Sequence, residues 1–279
     1  MNNKPLVSVC IPAYNNEDYI LETINCILSQ SYKNIELIVV DDNSSDDTYK
    51  VVKSVKDVRL KAYRNDSNLG MAGNWNRCLK LCTGKYIKLV CADDLLHKRL
   101  IEKEVAIMES YPEVNLVQSD TQFIDVNGRP KGYYRRYYKS GVVGGKEASK
   151  FSVFTRDFLG APLANMIRKS AYDKLGGFDE NLEYIIDYDF FMKLANYGKI
   201  YIIHRPLNYF RIRGDSNTGQ VMGGGKEQAY IREHRMLVEK YASDLNLSPW
   251  QVNLSVLIRK LMSFMGSIYL KIFLPKDRF

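Results

Sequence analysis

The chain has 279 residues, 46% hydrophobic and 26% charged, which suffices for one large domain, or one and a half, with a full core. Forty Lys and Arg against 32 Asp and Glu leave a net charge of +8, a modest excess that suits a solvated basic surface, an anionic substrate or an acidic membrane surface. With no zinc-finger or RNP-type motif, nucleic acid is excluded as the expected partner.

In chain order, Leu6–Ile11 reads as a buried strand ended by Pro12 and the turn-like Asn15-Asn16. Glu17 to Ser31 then carries Tyr19, Ile20, Ile24, Ile27 and Leu28 as a helical apolar stripe. Ile35–Val40 is a second strand, closed by Asp41-Asp42; Asn43 to Thr48 is a loop and N-cap before a helix through Val51, Val52 and Val55. Leu60–Tyr63 is a short third strand and Asn65–Gly73 a polar loop. A helix from Asn74 to about Cys82 leads to the strand Tyr86–Cys91, closed by Asp93-Asp94. Strands and helices alternating over about ninety residues make a nucleotide-binding α/β half-domain.

Further on, Leu100–Ser110 reads as a helix, Val114–Ser119 as a strand and Asp125-Val126-Asn127-Gly128 as a hairpin-type turn. Tyr133 to Lys139 is a basic aromatic run expected in a loop. Phe178–Gly198 holds a helix with carboxylates at its start, and Ile200–Ile203 is a last strand. Gly214–Lys226, with Gly223-Gly224-Gly225, reads as a flexible loop, and the remainder is helical. The expected divisions are 1–98, 99–217 and 218–279, the last a loop and helical extension.

The strands closed by the two acidic pairs are rich in Val, Ile and Leu without alternation, as in central strands of a parallel sheet covered on both faces. Ligands on such sheets bind beyond the carboxyl ends of the strands. Carboxylates delivered there are too costly in desolvation to serve packing. They point to a nucleotide and a divalent metal. In isolation an N-cap explains Asp93-Asp94 better than a metal site does, and the upstream Asp41-Asp42 reverses the balance towards a site.

The five cysteines, Cys10, Cys26, Cys78, Cys82 and Cys91, are odd in number and sit in apolar or helical contexts. Buried reduced thiols are expected, without zinc, since Cys78 and Cys82 have no second ligand pair. The start, MNNKPLVSVCIPAYNN, has an apolar run too short for a signal peptide, so a cytoplasmic protein is expected.

Several of these segments together resemble family 2 glycosyltransferases of the GT-A fold. They are Val7 to Asn15, Leu28 to Tyr32, Glu36 to Ser44, Asn68-Leu69-Gly70, Asn74 to Arg77, Gly84 to Asp94, Gly176 to Asp179, and Asp187 to Phe190. The resemblance implies a Rossmann-like, mostly parallel central sheet flanked by helices, with a helical C-terminal extension. It implies an inverting transfer of a sugar from a nucleotide diphosphate, UDP by the family's habit, to a saccharide or polyprenyl-linked acceptor in bacterial surface polysaccharide assembly. Pro12, Ala13 and Tyr14 would line the base pocket beside Asp42, with Asn68 and Asn74 near the nucleoside. Asp93, with Asp94, would hold Mg²⁺ or Mn²⁺, and Asp187 would be the general base.

This chain departs from the family at Cys91, where an Asp is common, at Ile186, where many relatives have Glu, and at Arg213, near which a His falls. Arg213 cannot ligate a cation, but its planar fork suits a diphosphate, and it would form part of a lid with Gly214–Gly225. Asp187 and Asp189 also fit helix capping, and Asp189 is taken as structural. Trp75 is expected in the core and the histidines outside catalysis. Trp250, Leu254, Leu257, Leu261, Phe264, Ile268 and Ile272 form an apolar stripe that suits either a membrane interface or a docking face. A nucleotide-sugar-binding module with a decayed site is an alternative. A sugar nucleotidyltransferase is a weaker one, because Pro12 to Asn16 replaces the Gly-rich phosphate loop it needs.

Overall fold

The computed structural model describes residues 4–213 and 226–273, with side chains to residue 263. The expected lid Gly214–Gly225 and the stripe from Phe264 onward lie outside the residues and side chains so described.

The described strands form one ten-stranded sheet. Its first half comprises β1 (Val7–Ala13), β2 (Ile35–Asp41), β3 (Leu60–Arg64) and β4 (Tyr86–Leu89), in the order β3-β2-β1-β4 and all parallel. The two-residue β5 (Leu95–Leu96) lies at the far edge. Between them run β6 (Val114–Ile124), β9 (Asn165–Arg168) and β10 (Lys199–Arg211), in the order β4-β9-β6-β10-β5. Here β9 is antiparallel to both neighbours, whereas β6 and β10 are parallel. Two more strands, β7 (Pro130–Tyr134) and β8 (Gly141–Gly144), pair antiparallel with β6 and β10.

Every residue of β2 is buried, which explains its apolar run Leu37–Val40. The pleat sends Ile35, Leu37 and Val39 to one core and Ile38 and Val40 to the other. On one face lie α1 (Ile20–Leu28), α2 (Thr48–Ser54) and α4 (Leu100–Ser110), which bury Ile20, Ile24, Ile27, Val52, Leu100, Ile101 and Val105. The other face is covered by α3 (Gly70–Leu81), α5 (Gly145–Phe154) and α7 (Ile186–Asn196), with α6 (Lys169–Leu175) beside them. Outside these pack α8 (Glu227–Tyr241) and α9 (Pro249–Phe273).

The structure departs from the sequence reading in four places. Pro12 does not end β1, which continues to Ala13, because the strand's own end is where a missing N–H costs least. Helix α3 begins a turn earlier than expected, where the Asn68 side-chain oxygen accepts the Gly70 N–H. Strand β10 is far longer than Ile200–Ile203: register shifts on both sides of Pro206 let it pass the proline as a bulged strand and reach Arg211. The run Tyr133–Lys139 is not a free basic loop. Tyr133 and Tyr134 belong to β7, and Arg136 and Tyr137 are buried. The turn at Asp125–Gly128 does form the β6–β7 hairpin, with Gly128 at φ +76°.

Glu36 joins the parallel strands from within. One carboxylate oxygen accepts from Ser8 Oγ at 2.6 Å, Thr83 N at 2.8 Å and Thr83 Oγ1 at 2.7 Å, and the other pairs with Lys61 Nζ at 2.8 Å. Gly84 must be glycine here, since a Cβ would meet Leu6 O and Ser8 N at 2.7 Å. Burial acts to raise the Glu36 pKa, but Lys61 and the three hydrogen bonds outweigh it and hold the group at about 2. Its stabilising contribution is therefore present above the ordinary value of 4.5 and is lost as pH falls towards 2. Glu36→Ala should cost about 2–4 kcal/mol at neutral pH by leaving these donors unpaired. Urea unfolding at pH 7 and pH 3 checks this, the difference from wild type being smaller at pH 3.

Candidate active site

The carboxyl ends of β1, β2 and β4 open onto one edge of the sheet. After β1, Tyr14 is 49% exposed, beside partly buried Pro12 and buried Ala13. The turn that follows is laced to the loop after β2. Asn15, at φ +50°, donates its N–H to Ser44 Oγ at 3.0 Å and accepts the Ser45 N–H on its side chain at 2.9 Å. Asn16 N donates to Thr48 Oγ1 at 2.7 Å. Asn15 therefore takes the left-handed conformation common to Asn to bind two loops together.

Asp41 faces inward, accepting the Ser44 N–H and pairing with Arg64 at 3.3 Å. Asp42 lies at the mouth, where its Oδ1 accepts from Asn65 Nδ2 at 2.5 Å and Leu69 N at 2.9 Å. Asn74 is buried below, linking Asn65 to the Val40 carbonyl, while Asn68 is exposed at the start of α3. The structure thus gathers Pro12, Ala13, Tyr14, Asp42 and Asn68 at one edge and places Asn74 beneath them as a brace.

Beyond β4, the Asp93-Asp94 turn is clamped by the end of β10. Asp94 Oδ1 accepts the Arg211 N–H at 3.0 Å, and Arg211 Nε donates to the Asp93 carbonyl at 2.8 Å. The same guanidinium reaches Glu22 at 2.7 Å and the Val126 carbonyl at 2.9 Å. Arg213 Nη1 is 3.3 Å from Asp93 Oδ2, and both arginines lie over the Tyr19 ring. Asp94 Oδ2 is sealed from solvent without a hydrogen-bond donor, and burial followed by the charge of Asp93 pushes its pKa well up. Two carboxylates, one with a lone buried oxygen, form the hard oxygen donor set that Mg²⁺ or Mn²⁺ prefers. Among the described residues no group of three His, Cys, Asp or Glu could enclose a cation unaided. The residues fit a cation that keeps substrate oxygens as its other ligands.

Asp187 occupies the first turn of α7. Its Oδ2 accepts the Ala161 N–H at 2.9 Å and its Oδ1 the Tyr188 N–H at 2.8 Å. Burial raises its pKa against these hydrogen bonds. Burial, followed by the charges of Asp94, Asp93 and Asp187, pushes the thiol of Cys91, two residues beyond β4, well up. Asp189, by contrast, is buried against Lys240 Nζ at 2.7 Å and Tyr241 Oη at 3.1 Å, a structural role. Trp75 packs edge-on against Phe178 at 5.0 Å, as expected for a core residue.

Sequence reasoning missed Asp157, Arg136 and the grip of the C-terminal helices. Arg136 is buried and donates to Thr121 Oγ1 at 2.7 Å and to the Phe158 and Gly160 carbonyls at 3.3 Å. Glu233 of α8 accepts the N–H groups of Glu183, Tyr184 and Ile185 at 2.9, 2.8 and 3.2 Å, just ahead of Asp187. From α9, Arg259 enters the same wall, and His234 is buried against Ser255 with its pKa pushed down to about 3 by burial. A buried Glu in a helix that otherwise reads as amphipathic was the available signal for Glu233; Asp157 had none.

The fold and the site define a GT-A glycosyltransferase. The profile described as Glycosyl transferase family 2 matches residues 8–176, and the chain belongs to that family. A glycosyltransferase of Methanocaldococcus jannaschii is 33% identical over 221 residues, 77% of this chain and 73% of its own length. The Escherichia coli UDP-Glc:alpha-D-GlcNAc-diphosphoundecaprenol beta-1,3-glucosyltransferase WfaP is 41% identical over 105 residues, 38% of this chain and 42% of that protein. Among solved structures, S. aureus TarS in complex with UDP-GlcNAc superposes with a TM-score of 0.74 at 22% identity, over 96% of this chain and 76% of that one. The mannosyltransferase PcManGT of Pyrobaculum calidifontis, in complex with GDP-Man and Mn²⁺, gives 0.59 at 17% identity, over 98% and 76%.

If Asp93 is the carboxylate a cation contacts, Asp93→Ala should abolish the dependence of nucleoside diphosphate binding on Mn²⁺. Calorimetric titrations with and without the metal measure this. Metal-linked binding that persists in the variant would put the cation elsewhere.

Proposed function

We propose that the protein is an inverting glycosyltransferase that moves a sugar from a nucleotide diphosphate sugar, UDP-linked by preference, to a hydroxyl of a saccharide or lipid-linked acceptor in surface polysaccharide assembly. The observation that carries this reading is the acidic turn beyond β4, where Arg211 clamps Asp93-Asp94, Asp94 Oδ2 is buried without a donor, and Arg213 stands 3.3 Å from Asp93. Residues 1–98 would bind the donor and 99–217 the acceptor, with 218–279 as an extension. Pro12, Ala13, Tyr14, Asp42 and Asn68 would hold the base and ribose, braced by Asn74. Asp93 and Asp94 would hold Mg²⁺ or Mn²⁺. A cation there supplies Lewis-acid neutralisation of the diphosphate leaving group.

The chain's own residues do the rest. Arg213, paired with Asp93, would turn its planar fork to the diphosphate oxygens. Asp187 accepts the acceptor hydroxyl's proton as that oxygen bonds the anomeric carbon and the diphosphate departs, giving inversion in one displacement. The loss of acid at Cys91 leaves a leaner metal site than the usual D-x-D, and Arg213 offsets it with permanent positive charge.

The lipid-linked acceptor is drawn from WfaP's printed activity and from the outer face of α9. Trp250, Leu254, Leu257 and Leu261 are 65, 38, 52 and 54% exposed, while Val252, Val256 and Arg259 are buried against the protein. No described helix is long and apolar enough to cross a membrane, so contact with the inner face of the cell membrane would be peripheral.

Turnover against a panel of UDP-, GDP- and dTDP-sugars, with and without Mn²⁺, tests the reading. Asp187→Asn should lower kcat by about 10³-fold while leaving calorimetric donor binding intact. Metal-dependent nucleotide binding without any turnover in the wild type would favour a decayed binding module.

A further inference from the structure

Asp157 lies in the chain between α5 and β9, and its carboxylate meets that of Asp187 across Gly160. A Cβ built on Gly160 would sit 2.6 Å from Asp157 Oδ2 and 3.0 Å from Asp187 Oδ2, so both oxygens converge on one point beside this glycine. Each carboxylate is anchored by the same short segment. Gly160 N donates to Asp157 Oδ1 at 2.8 Å, and Ala161 N donates to Asp187 Oδ2 at 2.9 Å. Ala161 has φ 61° and ψ 95° immediately before Pro162, a conformation that proline and its own Cβ both disfavour. Backbone strain of this kind persists where surrounding structure imposes it. Here it aims the Ala161 N–H at Asp187.

The charges of Arg136 and Arg259 reach the pair from a distance but form no ion pair with it. Among the described residues, no Lys or Arg lies within ion-pairing distance of Asp157 or Asp187. The groups facing them are Arg136 and Tyr134 from the β7 side, Cys91 beyond β4, Tyr188 of α7, Tyr230 of α8 and Arg259 of α9. Arg136 directs its N–H groups to Thr121 and two carbonyls, Arg259 donates to the Ser152 carbonyl, and Tyr134 Oη donates to the Asp157 carbonyl. A simple turn cap would account for Asp157 Oδ1. It does not account for Oδ2, which faces the other carboxylate.

We propose that Asp157 and Asp187 work as one proton-sharing pair, with Asp157 as the positioning residue that keeps Asp187 basic enough to accept the acceptor's proton. The proposal rests on Asp187 being the base. As the acceptor oxygen bonds the anomeric carbon, its proton passes to the Asp187 carboxylate, and the electron pair of the breaking bond leaves with the diphosphate. The proton is then held between the two carboxylates and released to water. Two like charges this close disfavour each other's ionised form, so the pair titrates as a unit. Burial, and next the Asp187 carboxylate, push Asp157 up to about 7.

The test is the pH profile of kcat/KM, with donor binding measured in parallel. Asp157→Asn should move the acidic limb down by about one pH unit or more, by removing the like charge. Asp157→Glu should restore the limb. Gly160→Ala, which wedges a methyl between the carboxylates while keeping both, should move it down as well. An Asp157→Asn profile that overlies wild type would overturn the pair, as would loss of donor binding in step with turnover. Full turnover by Asp187→Asn would instead remove the base assignment beneath it, so the two failures are distinguishable.

Discussion

The geometry of this site depends on Arg211. From the last residue of β10, its backbone N–H and guanidinium hold Asp94, the Asp93 carbonyl, the hairpin turn at Asp125-Val126 and Glu22 of α1. These belong to both halves of the sheet, and the arginine is 2% exposed. A buried guanidinium is costly to place in the interior unless its donors are used, and here they are spent on carbonyls and carboxylates. The position of the acidic turn relative to β6 and β10 is therefore fixed by one side chain.

That constraint gives the carboxylates different environments. Asp93 keeps access to solvent and an Arg213 partner, which suits the cation and diphosphate contact proposed for it. Asp94 is buried below it with one oxygen already hydrogen-bonded to the backbone. Asp187 is held by two N–H groups in the first turn of α7, yet lies beside a second carboxylate, that of Asp157, at Gly160. Hydrogen bonds from N–H groups favour the charged form, whereas burial and like charge oppose it. The first set of forces orients the group, and the second raises its pKa.

The first half of the fold was legible because its chemistry is local. Runs rich in Val, Ile and Leu, leading to Asp41-Asp42 and Asp93-Asp94, announce buried parallel strands and what they carry. The second half was less so. Strand β10 continues through Pro206 only because β6 and its neighbours absorb the register shifts, a tertiary fact with no trace in the segment itself. Arg136 reads as part of a solvated basic run until the fold encloses it. Asp157 and Gly160 carry no motif, since their meaning lies in a distance to a residue on another element.

The C-terminal helices extend the same logic. Glu233 supplies both carboxylate oxygens to three consecutive N–H groups that would otherwise be unsatisfied at the entry to α7. Lys240 and Tyr241 hold Asp189 two residues beyond Asp187, and Arg259 closes the aromatic wall behind it. Asp187, the proposed base, is thus flanked on both sides by contacts from outside the α/β core. A helix start anchored at residues 183–185 and again at 189 has little freedom to rotate, so the Asp187 carboxylate is held in one orientation. The segment after β10 thereby holds fixed a helix that the first half of the chain does not reach.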